Sequence, residues 1–213
     1  MNRKRITKKA TLALVAMMTV TSVVGCTQSN NSNKNQQGSN QKTEQKTEQK
    51  TDKNTNSSLS SSTIFKDMKT TDIDGNKVDK SIFSKYKLTM VNVWNTGCSP
   101  CISEIPTLDR LNKEYREKGV LIKGMLLESG IGLTDEEKAT AKEILSKANA
   151  TYQQLTVTKD MVEKDDTLLL QAFPTTFFID KDGNIVDSIE GSNDYDGWKS
   201  KIDEVLKKVE ANE

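Results

Sequence analysis

Cys98-Ser99-Pro100-Cys101 follows the largely apolar run Met90-Val91-Asn92-Val93-Trp94 after the short link Asn95-Thr96-Gly97. The run reads as a buried strand entering a turn, and the cysteine pair opens the next helix. Thiols at this spacing lie one helical turn apart, so a disulfide closes between them with little backbone movement. A helix N-terminus carries partial positive charge and free N–H groups, both of which stabilise a thiolate. The chemistry these residues suggest is thiol–disulfide exchange. Two other uses stand beside it. A closed zinc site needs a second Cys or His pair, but the chain has no histidine and its third cysteine is Cys26, far upstream. A purely structural disulfide across so short a loop removes little unfolded-state entropy. No metal site and no cofactor are expected.

The N-terminus reads as a targeting segment outside the fold. Arg3, Lys4, Arg5, Lys8 and Lys9 precede an apolar stretch of 15 residues, Ala10 to Val24. That is shorter than the roughly 20 residues a membrane-spanning helix needs. The stretch ends in Val23-Val24-Gly25-Cys26, which resembles a bacterial lipobox. Residues 1–25 are therefore expected to be a lipoprotein signal peptide and Cys26 the lipidated N-terminus. The location implied is the cell membrane, facing out of the cytoplasm. An ordinary cleaved signal peptide or an uncleaved anchor are the alternatives. Removing the five basic leader residues takes the net charge from +1 to about −4. Nothing in that balance suggests nucleic-acid binding, which usually shows a basic face.

Residues 27 to 62 are rich in Gln, Asn, Ser, Thr and Lys and include the repeat Gln41-Lys42-Thr43-Glu44, Gln45-Lys46-Thr47-Glu48. Such a stretch cannot bury enough surface to offset chain entropy, so 26–62 is expected to be a disordered tether. As a flexible coil it would span about 30 Å root-mean-square. A helical spacer is disfavoured by its Thr, Asn and Ser content. Residues 63–213 are one domain's worth of chain.

Within that domain, Phe65 to Val78 reads as a β-hairpin turning at Asp74-Gly75-Asn76. Leu88 to Trp94 reads as a central strand. Ile102, Ile105, Leu108, Leu111 and Tyr115 give the following helix a buried stripe. That helix should end near Gly119 and be kinked at Pro106. Val120 to Leu127 is a second strand. Thr134 caps a helix with Asp135, Glu136 and Glu137 in its first turn, running to about Ala148. Tyr152 to Val157 is a short strand and Asp165 to Ala172 a short helix. Thr175 to Asp180 and Ile185 to Glu190 pair across Lys181-Asp182-Gly183-Asn184. Trp198, Ile202, Val205, Leu206 and Val209 mark the core face of a last helix. The order predicts an α/β fold, a mixed sheet with helices on both faces.

Several of these residues, taken in register, resemble the thioredoxin superfamily, and most closely its membrane-tethered TlpA/ResA-type branch. Trp94 stands four before Cys98, Pro100 precedes the second cysteine, and Pro106 lies eight after Cys98. Phe173-Pro174-Thr175-Thr176-Phe177-Phe178-Ile179-Asp180 looks like the strand that opens with a cis proline. Residues 130–165 look like the helix and strand inserted in this branch. The resemblance covers about residues 63 to 213 and implies a thioredoxin-like fold with an N-terminal hairpin.

The resemblance also implies roles. Cys98 would be the exposed nucleophile and Cys101 the resolving thiol, joined in a redox disulfide. Cis-Pro174 would leave adjacent backbone free for an extended substrate, with Phe173, Thr175, Trp94, Ser99 and Pro100 at the substrate site. Glu104, one turn after Cys101, would tune the thiols and move protons; a plain surface glutamate near a helix N-terminus is the alternative. Two departures bear on specificity. Gly97 replaces the bulky aromatic many relatives carry there, which should open the surface around Cys98. Asn92 replaces thioredoxin's buried acid and cannot titrate.

The expected function is a lipid-anchored, extracytoplasmic thiol–disulfide oxidoreductase. The family implies a membrane electron donor that keeps the pair reduced. It also implies client proteins such as apocytochrome c, an extracellular methionine sulfoxide reductase, or spore and cell-wall enzymes. Disulfide formation in clients is the opposite direction, set by thiol stabilisation. A thiol peroxidase of the peroxiredoxin type would need Thr or Ser three residues before its cysteine, and neither Thr96 nor Ser99 has that spacing to Cys98. A non-enzymatic lipoprotein binding module is the reading from another class.

Overall fold

A computed structural model describes residues 61–129 and 132–212. The expected leader, Cys26 and nearly all of the tether lie outside the described residues. Among the described residues, no helix is long and apolar enough to cross a membrane.

The sheet has the strand order β5 (Gln154–Thr156), β4 (Val120–Leu126), β3 (Leu88–Trp94), β6 (Thr175–Asp180), β7 (Ile185–Glu190). Strand β3 (Leu88–Trp94) runs parallel to β4 (Val120–Leu126), which runs parallel to β5 (Gln154–Thr156). On the other side of β3, β6 (Thr175–Asp180) and β7 (Ile185–Glu190) are antiparallel. The central strand is buried along its whole length, which explains its nearly continuous apolar run. Alternation along β3 divides two cores. Leu88, Met90 and Trp94 point to one face, and Val91 and Val93 to the other.

Helices α1 (Ser99–Tyr115), α2 (Asp135–Lys147) and α4 (Tyr195–Glu210) pack their apolar stripes on the first face. The second face is covered by lighter elements. These are the hairpin β1 (Lys69–Thr71) and β2 (Lys77–Asp79), the 3-10 turn Lys80–Lys85, and the short helix α3 (Lys159–Lys164). The expected fold is thus present, with its long helices on one face.

Local chemistry sets the boundaries. Gly119, at φ 83°, ends the α1 segment in the left-handed conformation that glycine takes at low cost. Thr134 and Glu137 form a reciprocal capping box at the start of α2. The turns 72–76 and 180–184 share the pattern Asp-x-Asp-Gly-Asn. In both, the first carboxylate accepts the amides of the third and fifth residues, and Asp72 also accepts Gln153 Nε2–H at 2.8 Å.

Two expectations are corrected. The short helix expected over 165–172 lies earlier, at Lys159–Lys164. The Thr158 hydroxyl accepts the Met161 N–H and provides the N-cap that apolar spacing missed, and only a 3-10 turn, Asp166–Leu168, follows. Ser62, expected in the tether, is buried and donates to Asp165 Oδ2 at 2.8 Å, and the Thr63 N–H reaches the same oxygen at 2.9 Å. The folded chain therefore takes in Ser62 and is pinned to the segment leading to Pro174.

Gly124 in β4 is fixed by close packing. A Cβ there would overlap the Gln154 side-chain amide, whose Oε1 accepts Trp94 Nε1–H at 2.9 Å. Gly124→Ala is expected to displace Gln154, break that bond and cost about 1–3 kcal/mol. Chemical denaturation checks this; an unchanged midpoint would show that Gln154 relocates freely.

Candidate active site

The β3 strand ends at Trp94, and a tight turn delivers Cys98 to the start of α1. The Cys98 N–H donates to Asn95 O at 3.2 Å, and the Gly97 N–H to Asn95 Oδ1 at 3.0 Å. The Thr96 N–H reaches Glu128 Oε1 at 2.8 Å, tying the turn to the end of β4. Cys98 is the N-cap of α1, its Sγ accepting the Cys101 N–H at 3.2 Å, and Pro100 occupies the first turn where its missing N–H costs nothing. Cys98 and Cys101 form a disulfide with their Cα atoms 5.3 Å apart. Cys98 is half-buried, Cys101 fully buried, and Gly97, Ser99 and Pro100 are exposed. A Cβ at Gly97 would meet only Asn95 Oδ1, at 3.5 Å, so its backbone does not demand glycine and the surface beside Cys98 is open.

The Phe173–Pro174 peptide is cis. Thr175 pairs with Val93, which brings Pro174 to the sheet end where β3 delivers the cysteines. Pro174 O accepts the Gly191 N–H at 2.8 Å, joining this strand to the loop before α4. Phe173 is half-buried. Leu169 in the preceding segment is 56% exposed, an apolar side chain that sequence reading did not single out.

Two expected substrate contacts are corrected. Trp94 is fully buried and its indole is committed to Gln154, so it positions the strand instead of meeting a substrate. Thr175 is buried too. Alternation turns it to the face opposite α1, where its hydroxyl donates to Ala172 O at 2.8 Å.

Glu104 is 3% exposed, so the surface-glutamate alternative fails. Its Oε1 accepts Asn92 Nδ2–H at 2.9 Å, and its Oε2 accepts Trp198 Nε1–H at 2.9 Å and the Asn193 N–H at 3.2 Å. Asn92 Nδ2 also reaches Thr176 Oγ1 at 3.0 Å. Burial pushes the Glu104 carboxyl above the ordinary carboxylate range, while the bonds from Trp198, Asn92 and Asn193 pull the other way. Trp198 was legible only as core. A buried indole must place its N–H, and a buried glutamate one turn past Cys101 is the acceptor that could have signalled the contact.

A dithiol at a helix N-terminus, one half-exposed and one covered, with an acid one turn further on, is a geometry for thiol–disulfide exchange. Comparison with known proteins agrees. The Redoxin family profile matches residues 56–206. The chain belongs to the Redoxin family. The ResA thiol-disulfide oxidoreductase of Bacillus thuringiensis subsp. konkukian is 31% identical over 139 residues, 65% of this chain and 72% of that protein. A thioredoxin-family thiol:disulfide interchange protein of Chlorobium tepidum superposes with TM-score 0.52 at 22% identity, over 65% of this chain and 92% of that one. The thioredoxin domain of a Bacteroides vulgatus thiol-disulfide oxidoreductase gives TM-score 0.50 at 25% identity, over 63% and 91%. This Redoxin-family chain is a thiol–disulfide oxidoreductase of the ResA/TlpA type in the thioredoxin superfamily.

Proposed function

We propose that this oxidoreductase reduces disulfides of client proteins outside the cytoplasm, with Cys98 attacking and Cys101 resolving. The observation that carries the reading is the asymmetry of the pair, Cys98 half-buried at the helix N-terminus and Cys101 buried behind it. The helix N-terminus favours the Cys98 thiolate. That thiolate attacks one client sulfur, the client S–S bond breaks, and the second client sulfur leaves as a thiolate. Glu104 takes the proton of the Cys101 thiol. The Cys101 thiolate attacks Cys98 Sγ, expels the first client sulfur, and closes the protein disulfide. The proton on Glu104 and one from solvent complete the two client thiols. Two electrons pass to the client, and a membrane electron donor returns them to the pair.

Ser99, Pro100 and Phe173 form the client-facing surface in this reading, with Leu169 added to it and the buried cis-Pro174 shaping it from beneath. The exposure of Leu169 and Pro100 and the half-burial of Phe173 support an extended client segment as ligand. Lipidation at Cys26, a leader over 1–25 and a tether reaching to about residue 61 rest on the sequence pattern and would hold the domain at the outer face of the membrane. Apocytochrome c, a methionine sulfoxide reductase and cell-wall enzymes are the client classes this reading carries.

The test is capture. A Cys101→Ala protein is expected to accumulate client-linked mixed disulfides through Cys98 that dithiothreitol releases, and Cys98→Ala to accumulate none. Equal trapping by both variants would reverse or remove the assigned roles.

A further inference from the structure

Leu168 and Leu169 are neighbours of opposite exposure. Leu168 is 2% exposed and packs in the second core with Ile64 and Phe65, whereas Leu169 is 56% exposed. The 3-10 turn Asp166–Leu168 makes the difference: it ends at Leu168, and the Leu169 N–H closes it on Asp166 O at 2.9 Å. Burying Leu168 and closing that turn leaves the Leu169 side chain outside.

Asp165 is the N-cap of the turn, its Oδ1 accepting the Thr167 N–H at 2.9 Å. The same carboxylate also reaches the start of the folded chain. Its Oδ2 accepts the Ser62 hydroxyl at 2.8 Å and the Thr63 N–H at 2.9 Å, from residues 103 and 102 positions away. The Thr167 hydroxyl lies against both Asp165 Oδ1 and Ser62 Oγ, the latter at 2.9 Å. Burial opposes the charge on Asp165, but the bonds from Thr167, Ser62 and Thr63 outweigh it and hold the carboxyl below its ordinary value. The cation beside it in sequence, Lys164, pairs with Asp160 at 2.8 Å instead.

Capping a three-residue turn needs only the local bond from Asp165 to Thr167. The bonds to Ser62 and Thr63 add a fixed position for the turn. A segment held in place before it meets a partner loses less conformational freedom on binding. We propose that the Ser62–Asp165–Thr167 clip fixes the Leu169 segment for client proteins, with Asp165 as the positioning residue and affinity for protein disulfides as the property it sets. The proposal rests on the reading that Leu169 meets clients. Chemistry at Cys98 does not pass through the clip, so affinity and limiting rate should separate.

The test uses the full chain with its pair pre-reduced, mixed with insulin or with oxidised glutathione over a range of concentrations. Asp165→Asn keeps the side chain's shape, but in either orientation of the amide its amino group meets a backbone N–H, of Thr63 or of Thr167. It is expected to raise the insulin concentration that gives half the limiting rate by about tenfold and to leave the limiting rate within about twofold. Its rate with oxidised glutathione, a small disulfide, should stay within about twofold of the wild type. Leu169→Ala should show a similar rise with insulin. Asp165→Asn/Leu169→Ala should go no more than about twofold beyond either single variant, because both act through one side chain. An unmoved half-saturating concentration in Asp165→Asn, insulin and glutathione rates that fall together, or effects of the two substitutions that multiply would each overturn the clip while the client surface stands. An unmoved value in Leu169→Ala would remove that surface and the proposal with it. Should Asp165→Asn not fold by circular dichroism, Ser62→Ala decides by the same split: a rise of about threefold with insulin alone supports the proposal, and no rise overturns it.

Discussion

Glu104→Gln is expected to slow disulfide exchange by about 10²–10⁴-fold and to remove a pH dependence from the stability. Both effects come from burial. The carboxyl is raised above its ordinary value, so the folded protein holds that proton more tightly than the unfolded chain does. The associated stability is fully present below the unfolded-state value, near 4.5, and is lost as pH rises through the higher folded-state value. Relative to the Glu104→Gln protein, wild-type stability should therefore fall over that window. Glutamine keeps an oxygen on Trp198 and Asn193 and carries no charge to desolvate. Thermal scans from pH 4 to 8 beside turnover rates check both halves. A variant that is slow but whose stability differs from the wild type by the same amount at pH 4 and at pH 8 would refute the electrostatic account.

Trp94→Ala carries the largest expected cost in stability, about 3–5 kcal/mol. For a domain holding about 5–15 kcal/mol, that is a large share. Trp94 is fully buried, its indole is bonded to Gln154, and its carbonyl accepts the Leu127 N–H at 2.9 Å where β3 and β4 part. The loss would also loosen the turn that delivers Cys98. Trp94→Phe should cost less, keeping most of the volume while leaving Gln154 Oε1 without its donor. Urea denaturation reads both variants. A loss below about 1 kcal/mol in Trp94→Ala would show that the cavity collapses without harm.

Much of the fold was legible because its signals are local. The apolar run ending at Trp94, the Thr134 cap and the Gly119 stop each rest on a few neighbouring residues, and all three recur in the structure. The segment from 158 to 172 was misread because its helix rests on the Thr158 cap and its apolar residues answer to tertiary packing. At the site, cysteine spacing led to the disulfide, and the resemblance led to cis-Pro174. The surroundings of Glu104 were not legible. They come from Asn92 on β3, Asn193 in a loop and Trp198 on α4, 12, 89 and 94 positions away. The resemblance implied Trp94 and Thr175 at the substrate site, but strand alternation and burial turn them away from it.

In the proposed function the Cys98–Cys101 pair donates electrons to clients. The most direct test is the reduction potential of that pair, measured by equilibration against glutathione or dithiothreitol. A value near that of thioredoxin, about −270 mV, is predicted. A value near −120 mV, the strongly oxidising end of the scale, would contradict it and make the protein a catalyst of disulfide formation.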